Sequence, residues 1–249
     1  MKSMTVAFLA LLFSGGAPAA GPEVPLQRAS IDLGNTASLQ RGAAIFVNNC
    51  MGCHSAQYMR YSRLAEDLEL TEEQVNEFLI FDDDKKIGDV MTIAMEKEAA
   101  QGWFGAAPPD LSLVARSRGP DWVYTFLKSF HADASRPTGW NNTVFQNTAM
   151  PHVLWQQQGI QVVSHADDEA AEGDHGGHAA GPSFDVVQAG TMSAEEYDRL
   201  VTDLVNFLEY VGEPAKLKRE SLGIWVMLYL VVFTFLAWLL KKEFWRDVH

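Results

Sequence analysis

Cys50-Met51-Gly52-Cys53-His54 decides how the rest of the chain is read. Two thiols separated by two residues can each add to one vinyl group of a single porphyrin. The residue that follows, His54, is then held beneath the iron and supplies a proximal imidazole. A CxxC pair alone also serves zinc sites and redox dithiols. Structural zinc wants four ligands, however, and the chain has two cysteines in all. A thioredoxin-like dithiol wants a strand before it and leaves the histidine without a task. The pentapeptide therefore reads as the covalent attachment site of one haem c, held by Cys50 and Cys53 with His54 as the first axial ligand.

The residues before the motif predict a helix from Ser38, as cap, through Val47, with Leu39, Gly42, Ile45 and Phe46 at helical spacing. A glycine inside a helix costs about 1 kcal/mol relative to alanine. A second helix crossing closely at Gly42 would account for it. The partner is expected near the other end of the chain. Ser193-Ala194-Glu195-Glu196 has the capping-box form, and Tyr197, Leu200, Val201, Leu204, Leu208 and Val211 follow on one face, with Gly212 and Pro214 as terminators.

Between these two helices the chain is rich in turns. Thr71-Glu72-Glu73-Gln74 is a second capping box and opens a helix towards Leu79. Asp82-Asp83-Asp84 lacks the alternating ligand spacing of a calcium loop and reads as a solvated turn. The double proline Pro108-Pro109, before Asp110-Leu111-Ser112, fixes an extended backbone. Arg116 and Arg118 come next. Alone they are ordinary surface residues, but beside a porphyrin they can pair with propionates. Residues 121–130 are expected to be helical, with Trp122, Phe126 and Phe130 on one face. Residues 164–182 carry His165, His175 and His178 among glycines and acids. Without fixed ligand spacing they read as a surface loop rather than a metal site.

The second iron ligand decides the chemistry. Candidates after the motif are Met91, Met95, His131, Met150, His152 and Met192. Met91 and Met95 are spaced as one core-facing helix face, and Met192 is placed to staple the helix that follows it. Met150 lies in a loop, is followed by Pro151, and precedes the last soluble helix. That order is the one expected of a class I haem c fold, so Met150 is favoured and His152 is its rival. The fold class expected is mainly α: a class I cytochrome c-like haem domain with long loop insertions and one C-terminal transmembrane helix. A His/Met iron has no open position for oxygen or peroxide and suits the passage of single electrons.

The ends of the chain speak to location. A charged start, an apolar run and Ala17-Pro18-Ala19 describe a secretory signal peptide over residues 1–20. Residues 21–213 are then an exported haem domain, and 214–249 a membrane anchor with a short tail. Within the anchor, residues 222–240 are 19 consecutive residues without a charge. They span about 28 Å as a helix, enough to cross a bilayer. Lys216, Lys218 and Arg219 flank one end and Lys241, Lys242 and Arg246 the other, so flanking charge does not orient it. The exported leader does, by placing the haem domain outside. Residues 21–213 hold 12 basic and 29 acidic side chains, a net charge of −17. Nucleic acid is excluded as a partner, whereas a basic protein partner is favoured.

Taken together, these segments resemble the cytochrome c1 family, the haem c subunits of cytochrome bc1 complexes, in a bacterial form. The resemblance rests on Arg41-Gly42, on Cys50 through Ser55, on Tyr61 through Leu64, and on Gly105 through Ser112 with Ala115 through Arg118. It continues through Gly139-Trp140-Asn141-Asn142, Met150-Pro151-His152-Val153-Leu154 and the basic end of the anchor, Lys241 through Asp247. It implies one covalent haem c on Cys50 and Cys53, ligated by His54 and Met150. It further implies that Pro109 lies against the haem and that Arg118 pairs with a propionate. Electrons would arrive from a Rieske iron–sulfur protein and leave to a soluble cytochrome c. The anchor would pack against cytochrome b within the lipid, and quinol oxidation would belong to a partner subunit. The implied location is the bacterial inner membrane, with the haem domain in the periplasm and the C-terminus in the cytoplasm. A free-standing membrane-anchored monohaem cytochrome c serving a terminal oxidase is the alternative, and a haem enzyme such as a peroxidase is a third.

Overall fold

Asn35 caps the first helix. In the computed structural model, which describes residues 24–164 and 182–246, helix α1 spans Thr36–Asn49 and the Asn35 side chain accepts from the Ser38 backbone N–H. Ser38, the expected cap, lies inside the first turn, and its hydroxyl donates to Asp203 at 2.6 Å. Asn-x-x-Ser offers two side chains of similar capping preference, and the earlier one satisfies the first-turn amides.

The chain continues through β1 (Ala56–Arg60), α2 (Tyr61–Asp67), α3 (Glu72–Phe78), β2 (Val90–Met91), α4 (Lys97–Phe104), α5 (Val114–Arg118) and α6 (Pro120–Lys128). There follow β3 (Phe130–Ala132), β4 (Trp140–Asn142), α7 (Trp155–Gln158), β5 (Gly159–Val163), β6 (Phe184–Ala189), α8 (Ala194–Gly212) and α9 (Lys216–Phe244). The described strands form three antiparallel pairs, β1 with β2, β3 with β4 and β5 with β6. They tie down loops, and the core is helical, as the sequence predicts.

That core is the crossing of α1 and α8. Helix α8 opens on the Ser193 capping box and buries Val201, Leu204, Val205, Phe207 and Leu208. A Cβ placed on Gly42 would overlap the Asp203 carbonyl oxygen and lie 2.6 Å from Phe207 Cβ. The two backbones touch there, which explains the glycine. Phe46 and Phe207 pack beside the contact with ring centroids 5.6 Å apart. Polar groups seal the other side. Arg41 Nε meets Asp203 at 2.6 Å, and Asn206 Nδ2 donates to the Ser38 hydroxyl at 3.0 Å.

Other expectations meet mixed outcomes. The Thr71 capping box forms and α3 ends before Leu79, and Asp82 to Asp84 form an exposed turn. Helix α6, however, stops at Lys128, and Phe130 begins a strand. Side chains take over the carbonyls that would have continued it: Asn142 Nδ2 donates to Phe126 O at 2.7 Å, and Gln161 Nε2 donates to Lys128 O at 2.9 Å and to Phe130 O at 2.7 Å. The aromatic row still forms, with Trp122 stacked on Phe126 and Phe126 edge-on to Phe130. Met91 and Met95 share no helix: Met91 is buried in β2 and Met95 lies in the loop after it.

Helix α9 follows a short break after α8. Lys216 pairs with Glu209 at 2.8 Å and Arg219 with Glu213 at 2.6 Å across that break. The helix has 29 residues and buries none of them. It is long and apolar enough to cross a membrane. The expected leader, residues 1–20, and His165, His175 and His178 lie outside the described residues.

Candidate functional site

Where α1 ends, the backbone folds once around a single carbonyl. The N–H groups of Cys53 and His54 both donate to Cys50 O, at 3.0 and 2.9 Å. This turn turns the side chains of Cys50, Cys53 and His54 towards one cavity of about 510 Å³. Its remaining wall comes from four places. The 104–113 segment gives Phe104, Pro108 and Pro109, α5 and α6 give Arg118, Trp122 and Phe126, the loop before α7 gives Met150 and Pro151, and α8 gives Leu204 and Leu208. The lining is mostly apolar, and the volume falls within the range of cofactor sites.

His54 is buried, and its Nδ1 lies 2.7 Å from the Pro109 carbonyl oxygen. A carbonyl only accepts, so the proton sits on Nδ1 and the Nε2 lone pair is left for a metal. Burial lowers the His54 pKa, against the Pro109 hydrogen bond and the charge of Asp110, which raise it. The ring is therefore held neutral, the form that ligates.

The Cys50 thiol is not activated in the manner of a redox dithiol. Burial, with a smaller effect of Cys53, pushes the Cys50 thiol up to about 12, whereas reactive dithiols have lowered values. Zinc fares no better: among the described residues no group of three or more His, Cys, Asp or Glu side chains is placed to hold a metal.

Of the six candidate second ligands, Met150 alone lines the cavity. His152 is buried elsewhere, stacked on Phe130 with centroids 5.0 Å apart and edge-on to Trp140 at 5.2 Å. Burial lowers its pKa to about 4, against the Gln158 side chain, so it is a neutral aromatic filler. His131 sits near the Phe184 ring. Met91, Met95 and Met192 are also absent from the cavity wall.

The two arginines part company. Arg118 lines the cavity with its guanidinium 5.2 Å from the Trp122 ring centroid. Arg116 is not a lining residue and pairs instead with Glu213 at 3.7 Å. Trp122 and Phe126, read in sequence as a helical apolar face, are cavity wall. Their spacing gave the face and no signal of what it would cover.

These residues fit a haem c. Two thiols stand beside a neutral imidazole with a free nitrogen, a soft thioether reaches the same space, and an apolar shell encloses them. When bound, the haem supplies a reversible one-electron change at iron. The residues around it would hold it, orient it and exclude water.

The family model described as "Cytochrome C1 family" matches residues 30–178 and 184–248. The chain is 47% identical over 251 residues to the cytochrome c1 of Allochromatium vinosum, with all of both chains covered. It is 44% identical over 250 residues to a protein of Nitrosomonas europaea named ammonia monooxygenase gamma subunit, again with all of both chains covered. Cytochrome c1 of Rhodospirillum rubrum is 31% identical over 235 residues, covering 84% of this chain and 81% of that one. With a family model spanning most of its length and relatives aligned end to end, the chain belongs to the cytochrome c1 family.

Proposed function

We propose that this chain is the membrane-anchored c-type cytochrome of a respiratory cytochrome bc1 complex. It takes single electrons from a Rieske iron–sulfur protein and passes them to a soluble cytochrome c. One haem c is attached through Cys50 and Cys53 and ligated by His54 and Met150. Pro109 orients His54, and Arg118 is placed to meet a propionate. The observation that carries this reading is the shared cavity: the attachment thiols, an imidazole with its Nε2 free and a thioether all line it. Residues 21–213 form the exported haem domain and 214–249 the anchor, with the C-terminus in the cytoplasm and cytochrome b alongside the helix. Neither oxidation state needs a new ligand, so the surroundings can stay fixed during transfer.

Purification from the native host in mild detergent is expected to bring down a b-type haem and a Rieske centre with this chain. A solitary haem protein would contradict the assembly. Recovery with ammonia monooxygenase subunits would instead point to the assembly named for the Nitrosomonas relative.

The acidic surface supports a basic electron acceptor. Glu72, Glu73, Glu77, Asp82, Asp83 and Asp84 are all exposed. Reduction of a basic soluble cytochrome is expected to slow steadily as salt rises, because the Debye length falls to about 8 Å near 0.15 M. Stopped-flow rates that stay flat with salt would remove the acidic face from docking.

A further inference from the structure

We propose that Asp110 and Ser112 are positioning residues for the proximal histidine: they fix the Pro109 carbonyl on His54 Nδ1 and so set how strongly the imidazole donates to iron. The inference rests on His54 being an iron ligand.

Pro109 has no means of its own to hold that carbonyl. Neither Pro108 nor Pro109 has a backbone N–H to donate, and residues 105–111 belong to no helix or strand. Before the prolines the segment is held by Ala107 N–H, which donates to Gln101 Oε1 at 3.2 Å; just after them the chain is laced to the residues that follow His54. Leu111 N–H donates to Ser55 O at 2.8 Å. The Asp110 carboxylate accepts from Gln57 N–H at 2.9 Å through one oxygen and from Ser112 N–H at 2.9 Å through the other. The fully buried Ser112 accepts from Tyr58 N–H at 3.1 Å through its hydroxyl.

Strand β1 is built to permit this. It pairs with β2 only at Ala56 and Arg60, with an irregularity between. The amides of Gln57 and Tyr58 are thus available to the loop, and two side chains of the Asp110-Leu111-Ser112 tripeptide take them. A carboxylate suits the first post because it has an acceptor oxygen for each of two N–H groups from different segments. Five hydrogen bonds, including His54 to Pro109, form one clasp around the proximal ligand.

The chemistry follows from what the clasp holds. An Nδ1–H donated to a carbonyl raises the basicity of a ligating imidazole. A more basic ligand favours ferric over ferrous iron. Loosening the clasp is therefore expected to raise the potential. Removing the Asp110 charge also raises the potential, so the test must separate position from charge, and Ser112, which carries none, does so.

The experiment uses the full haem-loaded chain in detergent and proton NMR of the oxidised state. Hyperfine-shifted His54 ring signals report ligation, and exchange of the Nδ1 proton reports the clasp. In the unmodified protein that proton and the amides of Gln57 and Tyr58 are expected to exchange through one shared opening. Ser112→Ala is expected to quicken Nδ1 exchange about fivefold, as for one lost buried hydrogen bond, and to raise the potential. Asp110→Asn is expected to do more of both. Independent opening in the unmodified protein overturns the proposal. So does Ser112→Ala with exchange and potential unmoved, or Asp110→Asn raising the potential with exchange unchanged, which would make Asp110 a charge and not a clasp. His54 signals without hyperfine shift would instead overturn the haem reading itself.

Discussion

Met150→Leu is expected to keep the haem attached while lowering its potential and stopping electron transfer to the soluble acceptor. In the proposed arrangement attachment rests on Cys50 and Cys53, on the turn after α1, whereas Met150 reaches the cavity from the loop before α7. The two functions are carried by separate segments. Leucine nearly matches methionine in volume, and such swaps cost less than about 1.5 kcal/mol. What is lost is the thioether, a soft neutral donor that favours ferrous iron. The fall should be a sizeable part of the roughly 0.8 V that axial ligands span, read by redox titration. His152→Phe is the companion variant. His152 already stacks as an aromatic on Phe130, so phenylalanine should leave the potential where it was. If His152→Phe lowers the potential and Met150→Leu does not, the ligand has been misassigned.

Gly42→Ala is expected to destabilise the folded domain by about 2–3 kcal/mol in denaturant titrations, within the range for overpacking a close contact. The sign is the diagnostic feature. At an open helical position alanine would stabilise by about 1 kcal/mol, so a net loss requires the overlap to exceed that gain. The groups met are the backbone carbonyl of Asp203 and the Cβ of Phe207, neither of which can rotate away. Relief requires α8 to move, and α8 carries Leu204 and Leu208 in the cavity wall. The same change should therefore loosen the haem enclosure. A more stable Gly42→Ala protein would mean the helices are not in contact there.

What could be read in the sequence was whatever depends on short spacings. Gly42 announced a crossing, Ser193 and Glu196 announced the helix that makes it, and the uncharged run over residues 222–240 announced α9, because each is a local pattern with one physical cause. The CxxCH motif and Met150 stood out for the same reason, one by spacing and the other by its place in the chain order, and both line one cavity. Features set by distant partners were not. Phe130 continues a helical apolar row, yet Gln161 and Asn142, far along the chain, end the helix before it. Spacing alone does not separate Arg116 from Arg118, whereas in the structure Arg116 pairs with Glu213 and Arg118 lines the cavity. The described strands pair over two to six residues, too short for alternation to emerge. Asp110 and Ser112 stood in a segment recognised as distinctive, but their partners are backbone amides, which leave no mark in a sequence.

The most direct test of the central claim is a redox-poised absorption spectrum of the purified full chain, from the visible into the near infrared. One c-type haem, low-spin in both states, with a sulfur-to-iron band in the oxidised form, is the result expected of His54 and Met150 as ligands. A high-spin oxidised spectrum lacking that band, or a chain from its native host with no haem absorbance at all, would contradict it.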